Sequence, residues 1–334
     1  MSEFLKMNND LRNTMNYAAH VSRYGLTKMP PLIISCAITG GLHGAEMNPN
    51  LPEDKASQVQ QAYDAYNAGA ALVHIHARDP KNLAAMTTSA EDYKELNARV
   101  REKCPDIIVN NTCMGGRMIM DDTKQASPML LTALDALPEV SSIDLACASS
   151  YMPTRARKAP LTGRDQDGIS KINYMLTQGE AIQTVDEMQK RGIKPELEVF
   201  FPDDIVNYIV PLIKSGVIKD APYWVQVIFG GNGTTTSIEN LLHTTQMMPE
   251  NSLFSVIGVG AAQTAMITAA MIMGHHVRVG MEDNFVYGPG ELAKSNAQLV
   301  ERVVRIAREL GRPIATPAQA REMMGLGAPR AYNY

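Results

Sequence analysis

Short apolar, β-branched runs recur along the chain after Pro30-Pro31, at 32–38, 71–76, 107–111, 142–147, 196–200, 224–229, 254–258 and 277–281. Runs of this length, apolar with little alternation, are the pattern of strands covered on both faces. Between most of them apolar positions fall at helical spacing, in 54–68, 89–104, 184–191, 205–216 and 263–273. Strand–helix alternation predicts parallel strands with helices outside. Eight repeats in about 250 residues match a (β/α)8 TIM barrel in count and length. An open doubly wound sheet is the alternative, and the lack of a GxGxxG turn after the first run counts against it.

The flanking segments add three expectations. Residues 1–30 are polar and uneven, with Asn8, Asn9, Asn13 and Asn16, and read as an arm on the barrel or on a neighbouring subunit. Residues 31–334 then form one catalytic domain. Segment 290–310 is an amphipathic helix stopped by Gly311-Arg312-Pro313, and Thr316-Pro317 opens one more short helix. The connection from the fourth run to the fifth is long, and 149–170 reads as a loop carrying Arg155, Arg157, Lys158 and Arg164. Long βα loops shape the mouth of a barrel. This basic cluster either grips phosphates or stands in solvent.

Composition narrows the class. A net charge of -4 argues against a nucleic-acid surface. The start of the chain shows no apolar signal-like core, and no apolar stretch approaches the length of a membrane span, so a cytoplasmic enzyme is expected. Cys36, Cys104, Cys113 and Cys147 form no CxxC pair and read as reduced thiols.

The chemistry begins in the second run, at His74-Ile75-His76. Strand side chains alternate faces, so the two imidazoles point the same way. The run turns at Asp79-Pro80, which places the pair at the C-terminal end of a strand, where parallel α/β folds do their chemistry. The pair either holds a metal ion or forms ordinary hydrogen bonds, and a metal site requires a third ligand. The eighth run supplies one. Arg278, Gly280 and Glu282 share a face by period two, and barrel closure puts the eighth strand next but one to the second. His74, His76 and Glu282 then compose a catalytic set with Zn²⁺ as the first choice. Arg278 on an inward face requires a carboxylate, and Glu198 and Asp283 are the candidates. Such a pair is either structural or holds a general base in its ionised form. Thr39, His43, Asn111, Thr112, Cys113, Ser142, Asp144 and Gln226, with Gly-rich turns at 115–116 and 230–233, line the same predicted rim.

Four motifs occur in order at separate strand ends. They are Ala37-Ile38-Thr39-Gly40, His74-Ile75-His76-Ala77-Arg78-Asp79, Glu196-Leu197-Glu198-Val199 and Arg278-Val279-Gly280-Met281-Glu282-Asp283-Asn284. With the stretches at 293–300 and 315–322, they resemble the β-keto acid cleavage enzymes from about residue 31 to 325. The resemblance implies a TIM barrel with Zn²⁺ on His74, His76 and Glu282. It implies condensation of a β-keto acid with acetyl-CoA to give acetoacetate and a new acyl-CoA. Asp283, held by Arg278, is the implied base for the C2 proton. Glu198 falls on an active-site glutamate, Ser142 on a polar substrate contact, and Cys113 or Thr112 on a rim hydroxyl position. The acidic residue that the aminohexanoate-cleaving member carries after strand one is absent, and Leu42 and His43 occupy that stretch. The family is usually tetrameric. Two further readings keep the same residues: a metal-dependent aldolase or hydrolase without CoA, and a small-molecule binding barrel with structural zinc.

Overall fold

The computed structural model describes residues 2–113, 117–120, 126–128, 131–332 and 334. Eight parallel strands close into a barrel in sequence order. They are β1 (Ile34–Ala37), β2 (Leu72–Ile75), β3 (Ile108–Thr112), β4 (Val140–Asp144), β5 (Lys194–Val199), β6 (Tyr223–Phe229), β7 (Ser252–Gly258) and β8 (His276–Val279). β8 closes on β1, with Ser35 opposite Arg278. The doubly wound alternative is thereby excluded.

Alternation along each strand divides the barrel into two populations. Outward side chains, such as Ile34, Val73, Val109, Val199, Val227, Val256 and Val277, join one large apolar core with the surrounding helices. Inward side chains are layered. The lowest layer is apolar: Ile33, Leu72, Ile108, Val140, Trp224 and Leu253 cluster there with Leu5, Met323 and Met324. Helices Glu3–Asp10 and Pro317–Met324 thus close the N-terminal end of the barrel. The arm packs on its own barrel. Arg12 donates to the carbonyls of Met248, Pro249 and Ser252, and Asn8 donates to Ser252 O. Pro317 at the first helical position and the Thr316–Gln319 capping box set the start of the last helix, as the sequence pattern implied.

Two expectations change. The fourth strand begins at Val140, not Ser142, and ends at Asp144, while Cys147 starts a different sheet. The long connection is not a loop throughout. Cys147–Thr154 pairs antiparallel with Gly168–Met175, which pairs with Arg117–Met120 and through it with Ala126–Pro128. Only 155–167 remains loop. Among the described residues no helix is long and apolar enough to cross a membrane.

Candidate active site

His74 lies on β2 and His76 just past its end, with both rings buried. Their Nε2 atoms are 3.0 Å apart. Glu282 Oε1 lies 3.3 Å from His76 Nε2 and 3.7 Å from His74 Nε2. Ligand atoms at ~2.0–2.1 Å from a tetrahedral ion stand roughly 3.3 Å from one another, so the three atoms fit one divalent ion. Glu282 Oε2 is buried with no partner. Burial, with Arg278 and His76 nearby, pushes the His74 pKa well below its ordinary value, against Glu282 and Asn110, which favours the neutral ring that metal binding needs.

Glu282 is not on the strand that the sequence pattern extended to residue 281. β8 ends at Val279, and a turn closed by Asp283 N–H and Asn284 N–H to Gly280 O carries Glu282 over the mouth. Gly280 makes that turn possible. Its φ is +140°, and a Cβ there would lie 2.0 Å from Ala37 O on the neighbouring strand. Gly40, after β1, meets the Glu282 side chain so closely that a Cβ would fall 2.8 Å from its Cγ.

Arg278 is the hub beside this set. Its Nη1 donates to Glu198 Oε1 at 2.7 Å and its Nη2 to Glu282 Oε1 at 2.6 Å. Nε and Nη2 form a two-pronged pair with Asp283 Oδ2 and Oδ1, both at 3.0 Å. Both sequence candidates for its partner are therefore correct, and Glu282 is a third. Burial works against the Arg278 charge, but the three carboxylates outweigh it and hold its pKa well above the usual value. Burial likewise works against an ionised Glu282, yet Arg278 above all holds its pKa well below the usual carboxylate range. Asp283 responds differently. Burial pushes it up, with Glu282 adding to the effect and Arg278 opposing it, to about 6. A carboxylate poised near neutrality suits a general base.

These groups open into a cavity of about 230 Å³ at the C-terminal end of the barrel. Thr39, His43, Thr112 and Glu198 line it, as the sequence suggested. Other predicted contacts do not. Asn111 and Cys113 fall on the opposite parity. Asn111 Nδ2 donates to Ala133 O, and Cys113 packs into the outer core, so Thr112 is the inward residue of that strand end. Ser142 and Gln226 point inward but lie in a layer beneath the cavity, both buried. The turn at Gly115-Gly116 lies outside the described residues. Of the basic loop, Arg157 is buried between Glu46 and Glu53, and Arg164 donates to Glu46 at 2.8 Å, so neither is a free anion contact. Arg155 and Lys158 are exposed.

Sequence reasoning placed Asp144 on the rim but left out several other groups. Asp144 lines the cavity opposite Glu198 in the β4–β5 register and hydrogen-bonds to it. Burial and the Glu198 charge hold its pKa well above the ordinary range. Phe200, Ile228, Ile257 and Val259 form an apolar wall at the ends of β5, β6 and β7, across the barrel from the histidines. Below them, Ser35, Asn110, Ser142, Glu196, Gln226 and Ser255 make a polar middle layer. The signal was parity. Glu196 lies two residues from Glu198, on the same face.

A closed (β/α)8 barrel with His, His and Glu converging beside an Arg–Asp pair defines a class of TIM-barrel enzyme. The sequence profile of the beta-keto acid cleavage enzymes matches residues 31–326, and the chain belongs to that family. It is 35% identical over 298 residues to the 3-keto-5-aminohexanoate cleavage enzyme of Fusobacterium nucleatum, covering 89% of this chain and 99% of that one. It is 28% identical over 302 residues to the 3-dehydrocarnitine:acetyl-CoA trimethylamine transferase of Rhizobium meliloti, covering 88% and 96%. Among solved structures it superimposes on apo ObcA with a TM-score of 0.62 at 18% identity, covering 84% of this chain and 66% of that one, a likeness of fold.

Proposed function

We propose that this chain is a metal-dependent β-keto acid cleavage enzyme that uses acetyl-CoA, with Zn²⁺ as the metal on His74, His76 and Glu282. The convergence of those three ligand atoms beside an Asp283 gripped by Arg278 carries this reading. A divalent ion held by His74, His76 and Glu282 would supply the Lewis-acid charge that stabilises a substrate enolate. Asp283 takes a proton from C2, and Arg278 fixes the angle at which its carboxylate meets that carbon. The C2 carbanion attacks the acetyl thioester carbonyl, forming a carbon–carbon bond and releasing CoA thiolate. The thiolate adds to the original ketone, whose bond to C2 then breaks. The new acyl-CoA leaves, and Asp283 returns the proton to the departing acetoacetate. The apolar wall of Phe200, Ile228, Ile257 and Val259 keeps water from the thioester.

The zinc-loaded protein, given a panel of β-keto acids with acetyl-CoA, is expected to yield acetoacetate and the matching acyl-CoA by mass spectrometry. Turnover that proceeds without acetyl-CoA replaces this reading with an aldolase or hydrolase. No turnover across the panel removes it.

A further inference from the structure

A histidine that binds metal through one ring nitrogen must have the other fixed, because the tautomer decides which nitrogen offers a lone pair. His74 directs Nε2 toward His76 and Glu282. Its Nδ1 is buried inside the barrel without a well-formed partner. Glu196 Oε1 stands 4.0 Å away, beyond a direct hydrogen bond.

The residue opposite His74 in the β2–β3 register is Asn110, and its side chain works to raise the His74 pKa. Asn110 Nδ2 donates to Glu196 Oε1 at 2.7 Å, while its Oδ1 is buried without a hydrogen-bond partner. The other oxygen of Glu196 accepts from Trp224 Nε1 at 2.6 Å. His74, Asn110, Glu196 and Trp224 are each at most 1% exposed.

Burial raises the pKa of the Glu196 carboxyl to about 8, while its two N–H donors favour the ionised form, and for that form the donor and acceptor roles in this row leave one arrangement. An indole N–H can only donate, so Glu196 Oε2 accepts. Glu196 Oε1 is then the acceptor that selects the NH₂ side of the Asn110 amide. The carbonyl side is left for His74, and a carbonyl oxygen attracts only a protonated ring nitrogen. We propose that Glu196 and Asn110 are positioning residues that fix His74 as its Nδ1–H tautomer and so aim the Nε2 lone pair at the metal site. This rests on the metal reading above. It goes further in connecting the middle layer of the barrel to the metal site. The indole anchors the carboxyl, the carboxyl orients the amide, and the amide sets the imidazole.

Zn²⁺ affinity measured by chelator competition on the full chain tests it, with the Co²⁺ visible spectrum reporting ligand geometry. Asn110→Leu removes the acceptor and is expected to weaken Zn²⁺ binding about 10–100-fold, as outer-shell losses do. Glu196→Gln places an NH₂ against either the indole or the Asn110 amide, turns Asn110 Nδ2 toward His74, and weakens binding likewise. Adding Trp224→Phe to Glu196→Gln removes the competing donor, lets the Gln oxygen face Asn110, and restores affinity. Recovery in a protein whose core has been truncated is not an effect of stability. Nitrogen-15 NMR of the metal-free parent is expected to place the His74 proton on Nδ1, and this reading stands whether or not the double variant folds. Parent-like affinity in Asn110→Leu, a loss in Glu196→Gln that Trp224→Phe leaves unrepaired, or a proton on Nε2 overturns the proposal. A parent protein that binds no metal removes the metal reading instead.

Discussion

Arg278 Nη1 donates to Glu198 Oε1 at 2.7 Å, and this bond ties β8 to β5 across the barrel mouth. Arg278 also holds Glu282 and Asp283, so one guanidinium holds together three carboxylates of which one is a metal-ligand candidate and one a base candidate. Arg278→Met leaves those acids buried and mutually repelling. Breaking a buried pair costs about 3–5 kcal/mol, and urea denaturation of the metal-free variant is expected to show a loss of at least that order. Arg278→Lys restores the charge but not the fork that fixes Asp283. It is expected to keep its metal and lose about 100-fold in kcat, the cost of a misplaced reacting group. Parent-like kcat in Arg278→Lys contradicts the positioning role.

Glu282 and Asp283 are chain neighbours with separable duties. Glu282→Ala removes one of three converging ligand atoms, so the dialysed protein is expected to emerge with little zinc. Asp283→Asn keeps all three and is expected to retain zinc while losing the proton transfer. The measurement is exchange of the substrate C2 hydrogen in D₂O, which should fall by about 10²–10⁴-fold in Asp283→Asn, the usual contribution of a general base. Undiminished exchange would exclude Asp283 as the base.

The sequence pattern carried the site better than the segments around it, for a physical reason. His74 and His76 share a face by local alternation, and Glu282 joins them because a closed barrel places β8 two strands away from β2, with only β1 between. Both rules are simple and geometric. The turn that lifts Glu282 clear of β8 depends on the close approach of Gly280 to Ala37 O, which no local pattern encodes. The start of β4 was missed because Ser141 and Ser142 interrupt an apolar run that the barrel nevertheless buries. The stretch 149–170, read as loop, holds 149–154 and 168–170 of the antiparallel pair Cys147–Thr154 and Gly168–Met175, where no sustained apolar run marks a strand. Arg157 was read as a free cation because its partners lie more than a hundred residues away in sequence.

That distant pairing leads to a prediction about the rim. Arg157 Nη1 and Nη2 meet Glu53 Oε1 and Oε2 at 2.7 and 2.9 Å, Nη1 also contacts Glu46, and Nε donates to Thr162 O. The group pins the segment after β1 to the loop at 155–167. Arg157→Met leaves two buried carboxylates short of their cation and is expected to cost about 3–5 kcal/mol in urea denaturation. Arg155→Ala with Lys158→Ala removes only exposed charges and is expected to change stability by less than about 0.5 kcal/mol. Equal effects from the two changes would refute the structural role of Arg157.

His275 gives a pH dependence that owes nothing to the metal site. The ring is buried, Nε2 lies 2.9 Å from Thr245 Oγ1, and the ring stacks at a tilt 4.6 Å from Phe254. Burial first, then the Arg312 and Arg12 charges, pushes its pKa down to about 3. In the unfolded chain it titrates near 6.5. Between those values the unfolded state binds a proton that the folded state refuses, so stability falls as pH falls from about 6.5 toward 3 and is unaffected by this group at higher pH. One such proton steepens the decline by at most about 1.4 kcal/mol per pH unit. His275→Gln keeps a partner for Thr245 and removes the titration. Urea midpoints of the metal-free proteins between about pH 7 and 5 are therefore expected to fall less steeply in His275→Gln than in the parent. His276, also held well below its usual value by burial, titrates in both proteins and cancels in the comparison. Parallel declines would mean that His275 is protonated in the folded chain.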